Sequence, residues 1–551
     1  MSERWGMVVD VNRCVGCQTC TIACKHWNDT QPGVQWRSVL DVETGSFPDV
    51  ERLFLVVGCQ HCAEPPCVPV CPTGATKQRA DGLVTMDYDV CIGCAYCAVA
   101  CPYQARTIVH DHDWYYGRET IQETAVRHPE REGVAQKCTF CVDKVDLAKE
   151  QGLTPGVDPE VTPACSASCI ASAIHFGDFN DLDSNVSQLV RDNAHFQMHA
   201  ELGTDPQIKY LYSTPSIPGR DVGAHEWDDE RLSDPENALV GQRQTFWDWR
   251  AAMNWCFGGL ATGFVIAAYV ASLAGAAPLS GLPLANFVGG VVMAVGLFFV
   301  WLKIGRRFRA WRAATRWQSS WMTRELYAAD IFALGVIVGL FWPHPLVLAL
   351  TALAAVVFLV CQAKILHMAR GIPAWRAPLV PWMIVSTGLL EGAAAYVVYD
   401  LVYAQALSDT ALSAAALIIV LLIAVTAGLW GSYLAGAREA GLPPLARAAV
   451  RSTATWLLLM GHGVPAVLFL MLGNAGLAGL IAPAAQPLAS FVFAAALLVM
   501  FGGLFAKYAL VVKAGYQQGY ALGGLPQRGS GRLAAPQLAP APAASRREAA
   551  A

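Results

Sequence analysis

Sixteen of the 18 cysteines lie in four tight groups, the last of which ends at residue 169. The first and third groups have the spacing Cys-x2-Cys-x2-Cys-x3-Cys, and the second has Cys-x2-Cys-x4-Cys-x3-Cys. An insertion splits the fourth group into two pairs. In chain order they are Cys14, Cys17, Cys20 and Cys24; Cys59, Cys62, Cys67 and Cys71; Cys91, Cys94, Cys97 and Cys101; and Cys138, Cys141, Cys165 and Cys169.

This spacing is typical of iron–sulfur chemistry. Three cysteines at Cys-x2-Cys-x2-Cys wrap a loop round three irons of a [4Fe–4S] cube, and the fourth thiolate comes from elsewhere. Zinc also binds Cys-x2-Cys pairs, but it has no need of such runs or of four groups of four. Tight groups in a chain without an export signal also favour metal ligands over disulfides. The sequence therefore predicts iron–sulfur clusters.

The segments around the cysteines predict a small α+β domain over residues 1–200. Short strand-like runs ("WGMVVDV", "RLFLVVG" and "GLVTMDY") each lead into a cysteine group. Residues 201–247 are polar and rich in Pro, Gly and Asp, and we predict a linker that packs on its neighbours, with plain disorder as the alternative. Residues 516–551 include the low-complexity run "PQLAPAPAAS", which predicts a disordered tail.

The other half of the chain has a different composition, with apolar runs of about 20 residues from about residue 250 onward. A run of that length spans a bilayer as a helix. We therefore predict an all-α bundle of eight transmembrane helices over residues 248–515. The predicted spans are 253–274, 283–303, 325–342, 345–366, 379–403, 410–435, 452–473 and 486–512.

Charge in the loops predicts which side of the membrane the cysteines occupy. With eight spans, the N-terminus, three of the loops and the C-terminus share one side. Those three loops carry thirteen Lys and Arg residues and the opposite loops carry none, which places the cysteine domain in the cytoplasm. The N-terminus has no apolar signal segment, which agrees. The formal net charge of −4 suggests no nucleic-acid partner.

Over roughly residues 4–180 the cysteine layout resembles the four-cluster ferredoxin subunit of the DMSO reductase family of molybdenum enzymes. In that family the first and fourth groups exchange their last cysteines, as do the second and third. Because Cys94 is retained, the resemblance implies four [4Fe–4S] clusters. The implied ligand sets are Cys14, Cys17, Cys20 and Cys169; Cys24, Cys138, Cys141 and Cys165; Cys59, Cys62, Cys67 and Cys101; and Cys71, Cys91, Cys94 and Cys97.

The membrane half resembles the eight-helix anchor subunits of DMSO reductase and polysulfide reductase type, through "WDWRAAMNWCFGG" and "SSWMTREL". Anchor and ferredoxin are usually separate chains, and here they are fused. The resemblance implies electron exchange with membrane quinone and a separate molybdopterin catalytic subunit. Phenylacetyl-CoA and sulfite are the candidate substrates of that partner, because both are oxidised by cytoplasm-facing complexes of this type.

A quinone site needs polar groups within an apolar slot. The candidates are Asn254, Glu391 and His462, each of which could instead be a buried polar residue satisfied by a neighbouring helix. We predict that Arg324 and Glu325 form an interfacial ion pair at the start of the third span. The membrane half has only three histidines, so no haem is expected.

Two other functions fit the same pattern. An outward-facing reductase for DMSO, polysulfide or tetrathionate would place the ferredoxin domain outside, against the loop charges. A proton-translocating module would use Glu391 and His462 as a proton path. Five histidines near the cysteine groups are predicted to lie at the surface or beside the clusters rather than to bind iron, namely His26, His61, His110, His112 and His128.

Overall fold

The computed structural model describes residues 2–46, 49–111, 113–212, 231–473 and 485–521. The chain divides into two compact units, and it passes between them twice. The cysteine unit comprises Met1–Gln242 together with Gln518–Ala551, and the helical unit comprises Arg243–Gln517.

A four-stranded sheet forms the base of the cysteine unit. Its central strand, β1 (Trp5–Asp10), pairs in parallel with β10 (Ile208–Leu211) and antiparallel with β8 (Ile174–Asp178). The short strand β9 (His195–Phe196) pairs with the outer edge of β10. All six residues of β1 are buried, as expected for a strand that is covered on both faces.

Two hairpins, a further pair of strands and six α-helices complete the described part of the cysteine unit. The longer hairpin pairs β2 (Arg37–Ser46) with β3 (Asp49–Gly58), and the shorter one pairs β4 (Thr76–Gln78) with β5 (Val84–Met86). The strands β6 (Thr107–Ile108) and β7 (Ala135–Gln136) also pair, although a long connection separates them. The helices are α1 (Thr19–Trp27), α2 (Tyr96–Val99), α3 (Ile121–Val126), α4 (Val142–Gln151), α5 (Ala164–Ala167) and α6 (Asn185–Asp192).

Both predicted boundaries of the cysteine domain need correction. Strand β10 lies inside the stretch predicted as a linker, yet Ile208, Tyr210 and Leu211 are buried in the core. The predicted tail begins too early, because Tyr520 is buried in the same core and its hydroxyl donates to the Tyr103 carbonyl over 2.9 Å. A four-residue strand and a single aromatic anchor are too short to stand out in polar sequence. Most of the predicted linker and tail, 213–230 and 522–551, lies outside the described residues.

Ten α-helices make up the described part of the helical unit. They are α7 (Trp249–Leu273), α8 (Leu282–Lys303), α9 (Trp321–Phe341), α10 (Pro345–His367), α11 (Pro373–Arg376), α12 (Val380–Tyr399), α13 (Asp409–Ala435), α14 (Pro444–Trp456), α15 (Val464–Gly473) and α16 (Ala485–Tyr508). Turns of π-helix extend α12 over Asp400–Ala404, join α14 to α15 over Leu457–Gly463, and extend α16 over Ala509–Lys513.

Seven helical spans in the described residues are long and apolar enough to cross a membrane, judged by length and composition. The one predicted span that is not among these seven is the third, 325–342, which corresponds to α9 and carries Arg324, Glu325 and Asp330. The two ends of the bundle lie side by side, because the Gln244 amide donates to the Gly515 carbonyl over 2.8 Å and Arg243 bridges Tyr516. A chain that enters and leaves at the same end crosses an even number of times, so we infer that α9 is the eighth crossing.

Glycines let α7 and α12 pack with their backbones in contact. A Cβ atom added to Gly263 would lie 1.9 Å from the Gly388 carbonyl oxygen, and one added to Gly392 would lie 1.9 Å from the Gly263 carbonyl carbon. Small residues four apart are typical of such close crossings in membranes. This crossing brings polar side chains of α7 and α12 into the interior of the bundle.

Candidate functional site

The clustered cysteines come together as four groups of thiols, each drawn from separate segments. The groups follow from the thiols that interact electrostatically with Cys20, Cys24, Cys62 and Cys94. Group A contains Cys14, Cys20 and Cys169, with Cys17 in the same loop; group B contains Cys24, Cys138, Cys141 and Cys165; group C contains Cys59, Cys62, Cys67 and Cys101; group D contains Cys71, Cys91, Cys94 and Cys97. The resemblance implies the same sets, with Cys17 in group A, as cluster ligands, and that assignment stays a prediction.

The four groups follow one another in a line. Cys20 of group A interacts electrostatically with Cys165 of group B. Cys59 of group C interacts in the same way with Cys138 of group B. Cys67 of group C likewise interacts electrostatically with Cys97 of group D. The order A, B, C, D therefore gives a continuous path through the unit.

The same left-handed loop conformation recurs at groups A and D. Gly16 and Gly93 have φ values of 70° and 71°, and Gln18 and Ala95 have φ values of 60° and 66°. A Cβ atom added to Gly16 would lie 2.5 Å from the Phe54 ring, so glycine is required there for space as well as for conformation. The cysteine loops of groups A and D therefore share one backbone conformation.

The donor set fits a cubane cluster better than a single metal ion. Within the described residues, no three His, Cys, Asp or Glu side chains are arranged to bind one ion, and the thiolates of a zinc site stand closer together than those round a cube. Burial, and then Cys138 and Cys165, raises the pKa of Cys24 above its usual range. A thiol in such surroundings keeps its proton until a metal ion binds to the sulfur and displaces that proton.

His61 connects groups B and C without a role as a metal ligand. It is fully buried and stacks on Phe140, with ring centroids 3.8 Å apart. The Val84 amide donates to Nδ1 over 3.1 Å, and Nε2 lies 3.0 Å from the Cys138 carbonyl. Burial, and then Lys137, lowers the pKa of His61 well below its usual value. The ring is therefore neutral, with its proton on Nε2. His26, His110 and His128 are more exposed, and His112 lies outside the described residues.

In the helical unit, Asn254 belongs to a buried polar cluster on three helices. Its Nδ2 donates to Oε1 of Glu325 over 3.0 Å, and Nε2 of Gln362 donates to its backbone carbonyl over 2.7 Å. The indole of Trp255 donates to the Gln362 carbonyl over 3.1 Å. Among the described residues, Asn254 Oδ1 and Gln362 Oε1 have no hydrogen-bond partner. Two buried acceptors are thus left beside a buried carboxyl group.

Glu391 forms a second buried polar pair. Its Oε2 accepts a hydrogen bond from Lys507 Nζ over 2.5 Å, and the two side chains are 0% and 1% exposed. Glycines make the space, because a Cβ atom at Gly503 would lie 2.0 Å from Glu391 Oε1 and one at Gly259 would lie 2.2 Å from Lys507 Nζ. The pair joins α12 to α16 beside α7.

His462 has a third, separate environment. It lies on the π-helical turn before Pro465, where proline lacks the N–H that a regular helix would use. Its Nδ1 lies 3.0 Å from the Leu457 carbonyl, and its buried Nε2 has no partner among the described residues. No hydrogen bond joins Asn254, Glu391 and His462 to one another, so each of the three predicted quinone residues has its own hydrogen-bond partners.

The predicted ion pair between Arg324 and Glu325 is wrong. The Arg324 guanidinium turns outward, where it donates to the Trp317 and Gln318 carbonyls and lies 4.4 Å from the Trp321 ring centroid. Glu325 points into the bundle instead, because adjacent residues on a helix face different directions. Lys507 is a buried partner that the sequence pattern did not single out, although a lysine inside an apolar run marks an expensive residue.

Comparisons with known proteins agree with both halves of this description. Residues 50–117 match the family model of a 4Fe-4S dicluster domain, and residues 280–433 match that of the DMSO reductase anchor subunit. A selenate reductase subunit of Mesobacillus selenatarsenatis is 38% identical over 38% of this chain and 72% of its own length. A sulfite dehydrogenase subunit of Allochromatium vinosum is 37% identical over 37% of this chain and 81% of its own length.

A third relative, a tetrathionate reductase subunit of Salmonella typhimurium, is 37% identical over 38% of this chain and 72% of its own length. The chain belongs to the iron–sulfur subunits of DMSO reductase-type oxidoreductases. In this member of the family, the iron–sulfur subunit is fused to the membrane anchor. The predicted family and fold class are confirmed.

Membership defines the general role of this iron–sulfur subunit. It is the electron-transfer subunit, with its own multi-pass membrane anchor, of a molybdopterin oxidoreductase. The catalytic subunit is a separate partner.

The buried pair of the anchor gives a testable prediction. Replacing Lys507 with Met leaves the Glu391 carboxylate buried without its cation, which destabilises a protein by about 3–5 kcal/mol. We expect a lower thermal midpoint for the helical signal of the detergent-solubilised chain, and recovery of most of the loss in the double variant Lys507→Met/Glu391→Gln. The exposed Lys513, replaced by Met, is the matched control. A Lys507→Met variant as stable as that control would contradict the pairing.

Proposed function

We propose that this chain carries electrons between the catalytic subunit and membrane quinone through four [4Fe–4S] clusters, one in each of groups A to D. The observation that carries the proposal is the succession of the four groups, in which a thiol of each group interacts electrostatically with a thiol of the next. When bound, each cluster supplies a one-electron redox centre. The thiols of the chain hold these centres in sequence, and the surrounding core excludes water.

The quinone headgroup is proposed to bind at the cluster of Asn254, Glu325 and Gln362. Quinone reduction takes up two electrons and two protons and turns two carbonyls into hydroxyls. The unpartnered Asn254 Oδ1 and Gln362 Oε1 can accept hydrogen bonds from those hydroxyls. The Glu325 carboxyl group can carry a proton to the reacting oxygen. Glu391 and His462 are proposed to lie outside this headgroup site, because their hydrogen-bond partners are Lys507 and the Leu457 carbonyl rather than members of the Asn254 cluster.

A role in proton translocation is the second candidate. It is favoured by the buried pair of Glu391 and Lys507, since Glu391 Oε1 has no hydrogen-bond partner among the described residues. A charged pair deep in a membrane bundle is costly and commonly functional. This role would be added to quinone reduction and would not replace it.

These roles predict different effects of two substitutions. Replacing Glu325 with Gln removes the proposed proton carrier, so reduction of a soluble quinone by the dithionite-reduced chain should slow by about 100- to 10,000-fold. Glu391→Gln should leave that reduction intact and abolish only proton movement in vesicles. The control is Asp330→Asn, which changes an exposed carboxylate on the same helix. Full quinone reduction by Glu325→Gln would overturn the headgroup site.

We propose that the cysteine unit faces the cytoplasm and that the partner oxidises a cytoplasmic metabolite, with sulfite and phenylacetyl-CoA as candidates. The ends of the bundle, near residues 243 and 516, lie at the same end as the loops 304–320, 368–379 and 436–443. Arginines concentrate in these loops, and the loops 274–281, 342–344 and 405–408 contain no Lys or Arg. Such asymmetry marks the cytoplasmic side.

Reporter fusions test this orientation. Alkaline phosphatase, which is active only outside the cytoplasm, should be inactive when it is fused after residue 551, and green fluorescent protein at the same place should fluoresce. The same reporters inserted in the loop 405–408 should give the reverse pattern, which controls for expression. An active phosphatase at the C-terminus would instead support the outward-facing reductase.

A further inference from the structure

Two arginines are buried in the described part of the cysteine unit, where a charge is costly without compensation. Arg37 at the start of β2 is 1% exposed, and Arg106 just before β6 is 3% exposed. Neither forms an ion pair with a carboxylate among the described residues, and the strongest favourable interactions of both are with cysteine thiols. Their charges are therefore directed at the proposed cluster sites.

Arg37 lies beside groups A and B. It interacts electrostatically with Cys165, Cys138 and Cys24 of group B, and with Cys20 of group A. Its Nη2 donates to Met7 Sδ over 3.2 Å, whereas its buried Nε and Nη1 have no hydrogen-bond partner in the described part of the chain. Two donors thus remain free among the thiols of these groups.

Arg106 occupies the corresponding position beside groups C and D. Its Nη1 contacts Thr76 Oγ1 over 3.2 Å and Met86 Sδ over 3.0 Å. Its buried Nη2 has no hydrogen-bond partner among the residues described. The neighbouring thiols are Cys67, Cys59 and Cys101 of group C and Cys97 of group D. Each arginine therefore lies beside one pair of groups and contacts a methionine sulfur.

Both guanidinium groups keep their charge. An arginine side chain stays protonated in proteins at physiological pH, even where it is buried. The charge is fixed, and because it is buried, salt in solution screens it only weakly.

We propose that Arg37 raises the reduction potentials of the clusters at groups A and B. Arg106 does the same for the clusters at groups C and D. The inference rests on the four clusters of the proposed function. An electron that arrives at a group adds one negative charge, which a nearby fixed positive charge stabilises strongly in a low-dielectric interior. With one cation for each half, neither half becomes a trap for electrons relative to the other.

The test is a redox titration of the purified full-length chain in detergent, with dithionite as the reductant and electron paramagnetic resonance as the readout. We expect Arg37→Gln to lower the equilibrium constant for one-electron reduction at two cluster signals by at least about tenfold. This corresponds to a reduction potential that is lower by about 59 mV. Arg106→Gln should shift the other two signals. Arg37→Lys, which keeps the charge, should restore most of the potential.

The exposed Arg52, which pairs with Asp41, provides the control variant Arg52→Gln. Unshifted signals in both arginine variants, or shifts spread equally over all four signals, would overturn the proposed tuning. If one Gln variant loses iron, the potentials of the other variant decide whether the tuning is real. Loss of iron from both variants would overturn the tuning and assign both arginines a purely structural role. A wild-type chain with fewer than four signals would instead overturn the proposed function.

Discussion

The cysteine unit depends on one constraint, which is that buried thiols from distant segments must share each metal group. Group B combines Cys24 from α1 with thiols near α4 and α5, and group A takes Cys169 from the far end of the domain. Metal binding to such groups is coupled to folding. The main sheet brings the two ends of this domain together, because β1 lies between β8 and β10. This strand order places the segment after β1, which carries the first cysteines, beside the segment before β8, which carries the last ones.

The helical unit meets the same physical requirement with different residues. A buried polar group needs a partner, and in the bundle the partner comes from another helix. Glu391 on α12 pairs with Lys507 on α16, while Asn254 on α7 binds Glu325 on α9. Glycines at the helix crossings leave room for these side chains. Polar contacts thus specify which helices pack together, in a membrane where apolar surfaces would pack with little selectivity.

Sequence reasoning was accurate where the chemistry is local. Cysteine spacing predicted iron–sulfur chemistry because the cysteines of a cluster loop lie close together in sequence, and apolar run lengths predicted the helices. It missed contacts that depend on the tertiary fold. Strand β10 is only four residues long, Tyr520 anchors a segment predicted as tail, and the partner of Glu391 lies on a helix far along the chain. Neither spacing nor periodicity marks Arg37, because nothing near it in sequence indicates the thiols that surround it.

We propose that one chain holds four redox centres in succession and delivers electrons to quinone. An anaerobic reductive titration of the purified full-length chain, followed by reoxidation with a soluble quinone, tests this most directly when both steps are counted in electrons per chain. We expect uptake of about four electrons and their return to the quinone, since each [4Fe–4S] cluster accepts one. Uptake of two electrons or fewer, or a fully reduced chain that quinone fails to reoxidise, would contradict it.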